Sequence, residues 1–315
     1  SRGLGDVYKR QPFSRYLKWL KQQNVVEAET VWGEVLAGSE ATILYPAARG
    51  LEASLEHSDE LSLSVGANIT AALSQLARSA STTLSTVLEL AWGTLLMRLS
   101  GNANVVFENV VSGRPNDIEQ VNEIIGLLFN TVPVRVQAHG RQSVKAALGA
   151  LHAQKAVSLR HSHVNLTRLQ QIAGHSPLFD TLFSVQNLPV FDVADEDGIR
   201  IGNAEVRDAT HYPLSMSVTP KGDAIDLRLM FRSDLVTRDQ AKALIEAYGH
   251  ILERFCSDAD LPLLAVNALP DTSTLLPKTI SGEEMEIGSL SVADLLLKQA
   301  LATPNDNAVT AADTK

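Results

Sequence analysis

The sequence predicts a layered α+β fold, on three observations. Segments of helical and strand periodicity are intermixed without strict βα alternation, which argues against a doubly wound sheet. The stretch Leu84–Leu99 is apolar nearly all round, the pattern of a helix buried between layers. The later part is rich in short alternating stretches that read as strands. No internal repeat is visible.

Each element follows from its own pattern. Phe13–Gln23 and Val25–Leu36 carry apolar residues at helical spacing: Tyr16, Trp19 and Leu20, then Ala28, Val31, Trp32 and Val35. Gly38 stands where a helix C-cap glycine is expected. A polar loop runs to about Glu56, and Leu61, Leu63 and Val65 then alternate with Ser62 and Ser64 as a half-buried strand. Asn68 is the candidate cap of a helix reaching Ala77, and Thr82 or Thr83 of the buried helix that Ser100-Gly101 closes. Ala103–Val111 and Thr131–Val136 read as strands, separated by the turn Ser112-Gly113-Arg114-Pro115. A helix spans Ser143–Arg160, and a short one ends near Ile172. Strand patterning recurs at Phe179–Val185, Ile199–Val206, Leu214–Thr219 and Ile225–Phe231, the last weakened by Met230. Thr237–Cys256 is a long amphipathic helix beginning at a Thr cap. Ser257–Leu290 is poor in apolar periodicity, and Ser291–Ala302 is a final short helix.

Composition bounds the function. The 315 residues suffice for one large domain or two compact ones, and 45% hydrophobic with 20% charged is an ordinary globular balance. The net charge of -9, with no block of Lys and Arg, argues against nucleic-acid and anionic-membrane surfaces. Leu84–Leu99 is interrupted by Glu89 and Arg98 and falls short of the ~20 apolar residues of a bilayer span. No secretory signal is visible, and the single cysteine, Cys256, fits a cytoplasmic location. Ser1–Gln11 is basic and aperiodic and resembles translated adapter sequence, so it is set aside as non-native. The expected organisation is a main domain over 12–269, a linker over 270–290, and the truncated start of another domain over 291–315. The chain is thus expected to be a fragment of a longer protein.

VVFENVVSGRP followed by IIGLLFNTVPVRV resembles the nonribosomal peptide synthetase condensation domain, in which a strand ending in SGRP precedes an IGxFVNTxxxR-type motif. FSRYLKWLKQQ, AETVWGEVLAG, TLSTVLELAWGTLLMRLSG, HSHVNLTRLQQIAGHSPLFDTLFSVQNLP and DATHYPLSMSV resemble further family segments, in the family's order. SVADLLLKQALATPNDNAV resembles the opening of an adenylation domain. The resemblance implies the C-terminal lobe of a chloramphenicol acetyltransferase-like fold, a mixed sheet flanked by helices, with the N-terminal lobe absent. It implies amide-bond formation between a carrier-bound acyl or peptidyl thioester and a carrier-bound aminoacyl acceptor. No cofactor is bound directly on this view. Phosphopantetheine arrives on upstream and downstream peptidyl-carrier domains, and the adjacent adenylation domain and the N-terminal lobe are the other partners. The family's HHxxxDG motif lies upstream, where its second histidine is thought to act on the acceptor amine. No His-His pair occurs in this sequence, so no catalytic residue is assigned to it and the chain alone is expected to be inactive.

The resemblance assigns substrate-channel or motif roles to Gly126, Asn130, Thr131, Arg135, Ser112, Gly113, Arg114, His161, His163 and Gln186. Two readings of Asn130 stand. Either it faces the tunnel and bonds a substrate carbonyl, or it satisfies local backbone groups while Gly126 permits a tight turn; propensity favours the second. Arg114 is either an ion-pair partner that orients the cleft or, as an Arg between Gly and Pro favours, a buried salt bridge or turn contact. Leu128-Phe129, Glu108-Asn109 and Ser162 depart from the usual family residues. His161 and His163 lack the further ligands a zinc site needs, so no metal is assigned. No GxSxG elbow or GxxxxGK loop occurs. Cys256 and the three tryptophans, Trp19, Trp32 and Trp92, are read as packing residues. Epimerization or cyclization domains of the same fold, or a non-catalytic carrier-docking lobe, are the alternatives.

Overall fold

The computed structural model describes residues 13–186 except 53 and 116, residues 210–269, and residues 291–304. It divides into two units, Ser1–Pro270 and Asp271–Lys315. The segments 1–11, 199–206 and 270–290, singled out above, lie outside the described residues.

The first unit opens with α1 (Phe13–Lys21) and α2 (Val25–Leu36). The Asn24 side chain caps α2 by accepting the Glu27 N–H at 3.2 Å, and Gly38, at φ +67°, turns the chain away after it. The strand β1 (Ser58–Val65) leads into α3 (Ala67–Ser79). The cap here is Gly66, not Asn68, which lies exposed in the first turn. The Thr70 hydroxyl donates to the Val65 and Gly66 carbonyls, so the turn is anchored from within the helix. Thr83 caps α4 (Leu84–Ser100), which ends at Gly101 in the left-handed conformation. Strands β2 (Asn104–Val111) and β3 (Asn130–Gln137) follow, then α5 (Val144–Ser158) and α6 (Leu166–Ala173). The helix expected to reach Arg160 instead tightens into a 3-10 turn over Leu159–His161. The unit closes with β4 (Thr181–Val185), β5 (Leu214–Lys221), β6 (Ala224–Arg232) and α7 (Arg238–Ser257), which begins with a Thr237–Gln240 capping box.

The strands form one mixed sheet in the order β1-β6-β5-β4-β2-β3. β4 runs parallel to β2 and β5, and the remaining pairs are antiparallel. Side chains alternate across it, so β2 sends Val105 and Phe107 to one core and Val106 to another. The larger core holds α4, which touches α3, α5, α7 and three strands, matching its all-round apolar sequence. Trp92 on α4 lies against Phe183 and Tyr248, and the Tyr248 hydroxyl donates to the Leu88 carbonyl at 3.0 Å. Gly93 lets α4 sit close on β3, since a Cβ there would stand 2.6 Å from Val136 Cγ2. On the opposite face α2 and α6 cover Val106 and Val132 with Trp32 and Leu169, and Phe179, just ahead of β4, packs with them.

The stretch after α7 carries little apolar periodicity, yet residues 258–269 are built into the fold, as the expected domain limit at 269 requires. Val144 N–H donates to the Leu261 carbonyl at 3.0 Å, and Leu263 and Val266 are buried in the larger core. In the second unit α8 (Val292–Ala302) starts at a Ser291–Asp294 capping box. No described helix is long and apolar enough to cross a membrane.

Candidate functional site

Five elements converge on a cleft of about 670 Å³: α1, the first turns of α4, the end of β2 with the SGRP turn, the end of α5, and the loop after it. Its floor is polar. Glu89, on α4 and 1% exposed, has Lys155 Nζ from α5 within 2.6 Å of Oε1 and 2.5 Å of Oε2. Ser85 Oγ and Asn109 Nδ2 donate to the same Oε1 at 2.9 and 3.1 Å. A buried carboxylate survives in an apolar helix because it is paired and hydrogen-bonded.

The wall beside it is the SGRP turn. Gly113 takes φ +55°, and a Cβ there would overlap the Leu128 carbonyl oxygen, so glycine is required twice over. The Ser112 hydroxyl accepts the Arg114 N–H at 3.3 Å. Arg114 makes a turn contact, donating from Nη1 to the carbonyls of Val121 at 2.5 Å and Ile124 at 3.4 Å.

His163 stands at the rim with the edge of its ring system against Trp19, centroids 6.1 Å apart. Neither of its ring nitrogens has a partner among the described residues. Burial, and secondarily the neighbouring His161, hold its pKa below the ordinary value, so the ring is neutral near pH 7. Asn130 fixes this loop by donating from Nδ2 to the carbonyls of Ser162 and, at 3.2 Å, Val164. Trp32 Nε1 donates to the His161 carbonyl at 2.9 Å from the other side.

The motif residues therefore separate. Ser112, Gly113, Arg114 and His163 line the cleft; His161 belongs to the loop that carries His163, and Asn130, at the start of β3, holds that loop in place. Arg135 lies elsewhere, closing α2 by donating to the carbonyls of Val35 at 3.1 Å and Ala37 at 2.7 Å. Thr131 bonds the Glu108 carboxyl, and Gln186 is exposed and extends β4 through its N–H to the Val218 carbonyl at 2.8 Å. Gly126 does not provide a left-handed turn; it clears room for the Phe13 ring, which a Cβ would overlap. Trp19 is a half-buried cleft wall, unlike the fully buried Trp32 and Trp92. Cys256 is partly buried, and burial pushes its thiol up to about 11, so it is no nucleophile at neutral pH.

Glu89 and Asn109 stand out in the sequence as an interruption of the apolar helix and a departure from the family pattern, but their meeting with Lys155 escaped sequence reasoning. A Glu and a Lys on two different helices have no spacing relation, and the one available signal was an acidic residue in the middle of an apolar helix. Among the described residues no group of three or more His, Cys, Asp or Glu could hold a metal.

The condensation-domain family model matches residues 6–275. The chain belongs to the condensation-domain family. It is 29% identical over 312 residues to tyrocidine synthase 2 of Brevibacillus parabrevis, covering 96% of this chain and 9% of that protein. Chondramide synthase cmdD of Chondromyces crocatus is 34% identical over 217 residues, covering 66% of this chain and 5% of that one. The chain thus spans less than a tenth of the length of each of these synthases. Solved structures share its fold: the X-domain from teicoplanin biosynthesis has a TM-score of 0.67 at 19% identity, over 81% of this chain and 60% of that one. The holo form of AB3403, a four-domain nonribosomal peptide synthetase bound to AMP and glycine, has a TM-score of 0.66 at 16% identity, over 91% of this chain and 23% of that one.

Proposed function

We propose that this chain is the C-terminal portion of a condensation domain that joins a carrier-bound acyl or peptidyl thioester to a carrier-bound aminoacyl acceptor, and that residues 291–315 open an adenylation domain. The observation that carries this reading is the cleft lined by the SGRP turn and the His163 loop, both within the family match. In the reaction the acceptor amine attacks the thioester carbonyl. A C–N bond forms, the C–S bond breaks, the donor carrier's phosphopantetheine leaves as the thiol, and the amine loses a proton. These residues supply one wall and the floor of the substrate cleft. On this reading the proton-accepting histidine is that of the family's HHxxxDG motif, and none of the residues described above takes that role.

Carrier domains loaded with donor and acceptor and mixed with this chain test the reading. No dipeptidyl carrier is expected above background, whereas turnover by residues 1–315 alone would sink the assignment of the chemistry to that motif. The same assay on the longest synthetase carrying these residues is expected to give condensation. Loaded-carrier binding without condensation there would favour a non-catalytic docking lobe.

A further inference from the structure

One side of the cleft is aromatic, although its floor is polar. Phe13, Tyr16 and Trp19 recur every three residues along α1, which puts their rings on one face of the helix. Tyr16 and Trp19 stack with centroids 5.8 Å apart, and the His163 ring, edge-on and 6.1 Å from Trp19, continues the row. Tyr16, Trp19 and His163 all line the cleft. Underneath, α1 rests on the small core of Ile118, Val121, Ile124 and Leu128. That core does not use the rings up. No residue of α1 is fully buried, and Tyr16, Trp19 and His163 each keep part of their surface open.

A wall of this kind attracts two kinds of occupant, a cation over a ring face or a further aromatic ring. The charges of the cleft decide between them. Lys155, Arg114 and Arg160 line it against Glu89 and Asp117, and Glu89 is already paired with Lys155. A cation would meet this positive excess, whereas a neutral ring would not.

We infer that Tyr16 and Trp19 form a specificity wall that selects an aromatic side chain on the carrier-bound substrate. The inference rests on the cleft being the substrate site. Calorimetric titration of the full chain with N-acetylphenylalanyl and N-acetylcyclohexylalanyl amides of N-acetylethylenediamine tests it. Both probes are neutral and of similar size, and they differ in the π face of one ring. The phenylalanyl probe is expected to bind about fivefold more tightly, because aromatic pairs gain more than the area they bury. Trp19 has open surface while Trp32 and Trp92 are fully buried, so acrylamide quenching of tryptophan fluorescence reports on the wall. The bound phenylalanyl probe is expected to reduce that quenching. Trp19→Leu is expected to abolish the preference while a thermal melt confirms folding. Should that variant fail to fold, the wild-type preference and the quenching decide by themselves. Equal affinities, or a preference with Trp19 left as open to acrylamide as before, would overturn the aromatic wall and leave the cleft assignment standing. Binding of neither probe would overturn both.

Discussion

Glu108 is the residue most out of keeping with its place. It is 2% exposed on β2, faces the α2 side of the sheet with Val106, and has Thr131 as its side-chain partner while Oε2 is unpaired. Burial pushes its carboxyl from an ordinary 4.5 up to about 7, with the Thr131 bond opposing weakly. The folded state therefore holds a proton that the unfolded state releases. Its contribution is fully present below about pH 4.5 and is lost as pH rises through about 7. Glu108→Gln mimics the protonated form at every pH. Relative to wild type it is expected to gain roughly 2 kcal/mol between pH 5 and pH 8, measured as the difference in urea unfolding free energy. A constant difference across that range would exclude a proton held by Glu108. Lys155→Met tests the floor in the same currency. It strands the Glu89 charge in the larger core and is expected to cost about 3–5 kcal/mol at pH 7.

At the scale of elements, α4 and the His163 loop are held by different means. The helix is held by burial on every side, and Trp92→Ala is expected to cost about 3–5 kcal/mol in chemical denaturation. The loop is held by side chains reaching backbone carbonyls, from Asn130 below and Trp32 behind. Asn130→Ala is expected to lose about 1–2 kcal/mol of stability and to raise amide exchange over residues 161–165 while leaving α4 protected. Uniform loss of protection would show that Asn130 supports the sheet and not the loop. Helices and their caps were legible because each answers to local rules. Thr83 and Thr237 cap as the sequence indicates, and the structure adds Ser143 and Asn165 as caps of the same kind. Asn68 misled because a good capping side chain also occurs inside a first turn, and only the path of the chain out of β1 decides which residue comes first.

For the whole molecule, the segment leading into β3 alternates in an unusual way. Ile124 and Leu128 are buried in a small core with Phe13 and Trp19, while Ile125, Leu127 and Phe129 face outward at 66, 80 and 65% exposure. An apolar ridge of this kind drives association unless something covers it. The chain is expected to associate reversibly at high concentration in sedimentation experiments, and Leu127→Ser with Phe129→Ser to shift it toward monomer. No change in the double variant would place the contact elsewhere.

The sequence alone was enough for the α+β class, nearly every described element, the buried character of α4 and the family, because periodicity, capping and motif order are local properties of the chain. It also marked Ser112, Gly113, Arg114 and His163, which the fold brings to one cleft. The tertiary structure alone decided that Arg135 serves α2, that Gly126 makes room for Phe13, and that Glu89, Lys155 and Asn109 meet at the floor. These pairings join residues from separate elements, so their partners are chosen by how helices and strands pack and leave no spacing in the sequence to read.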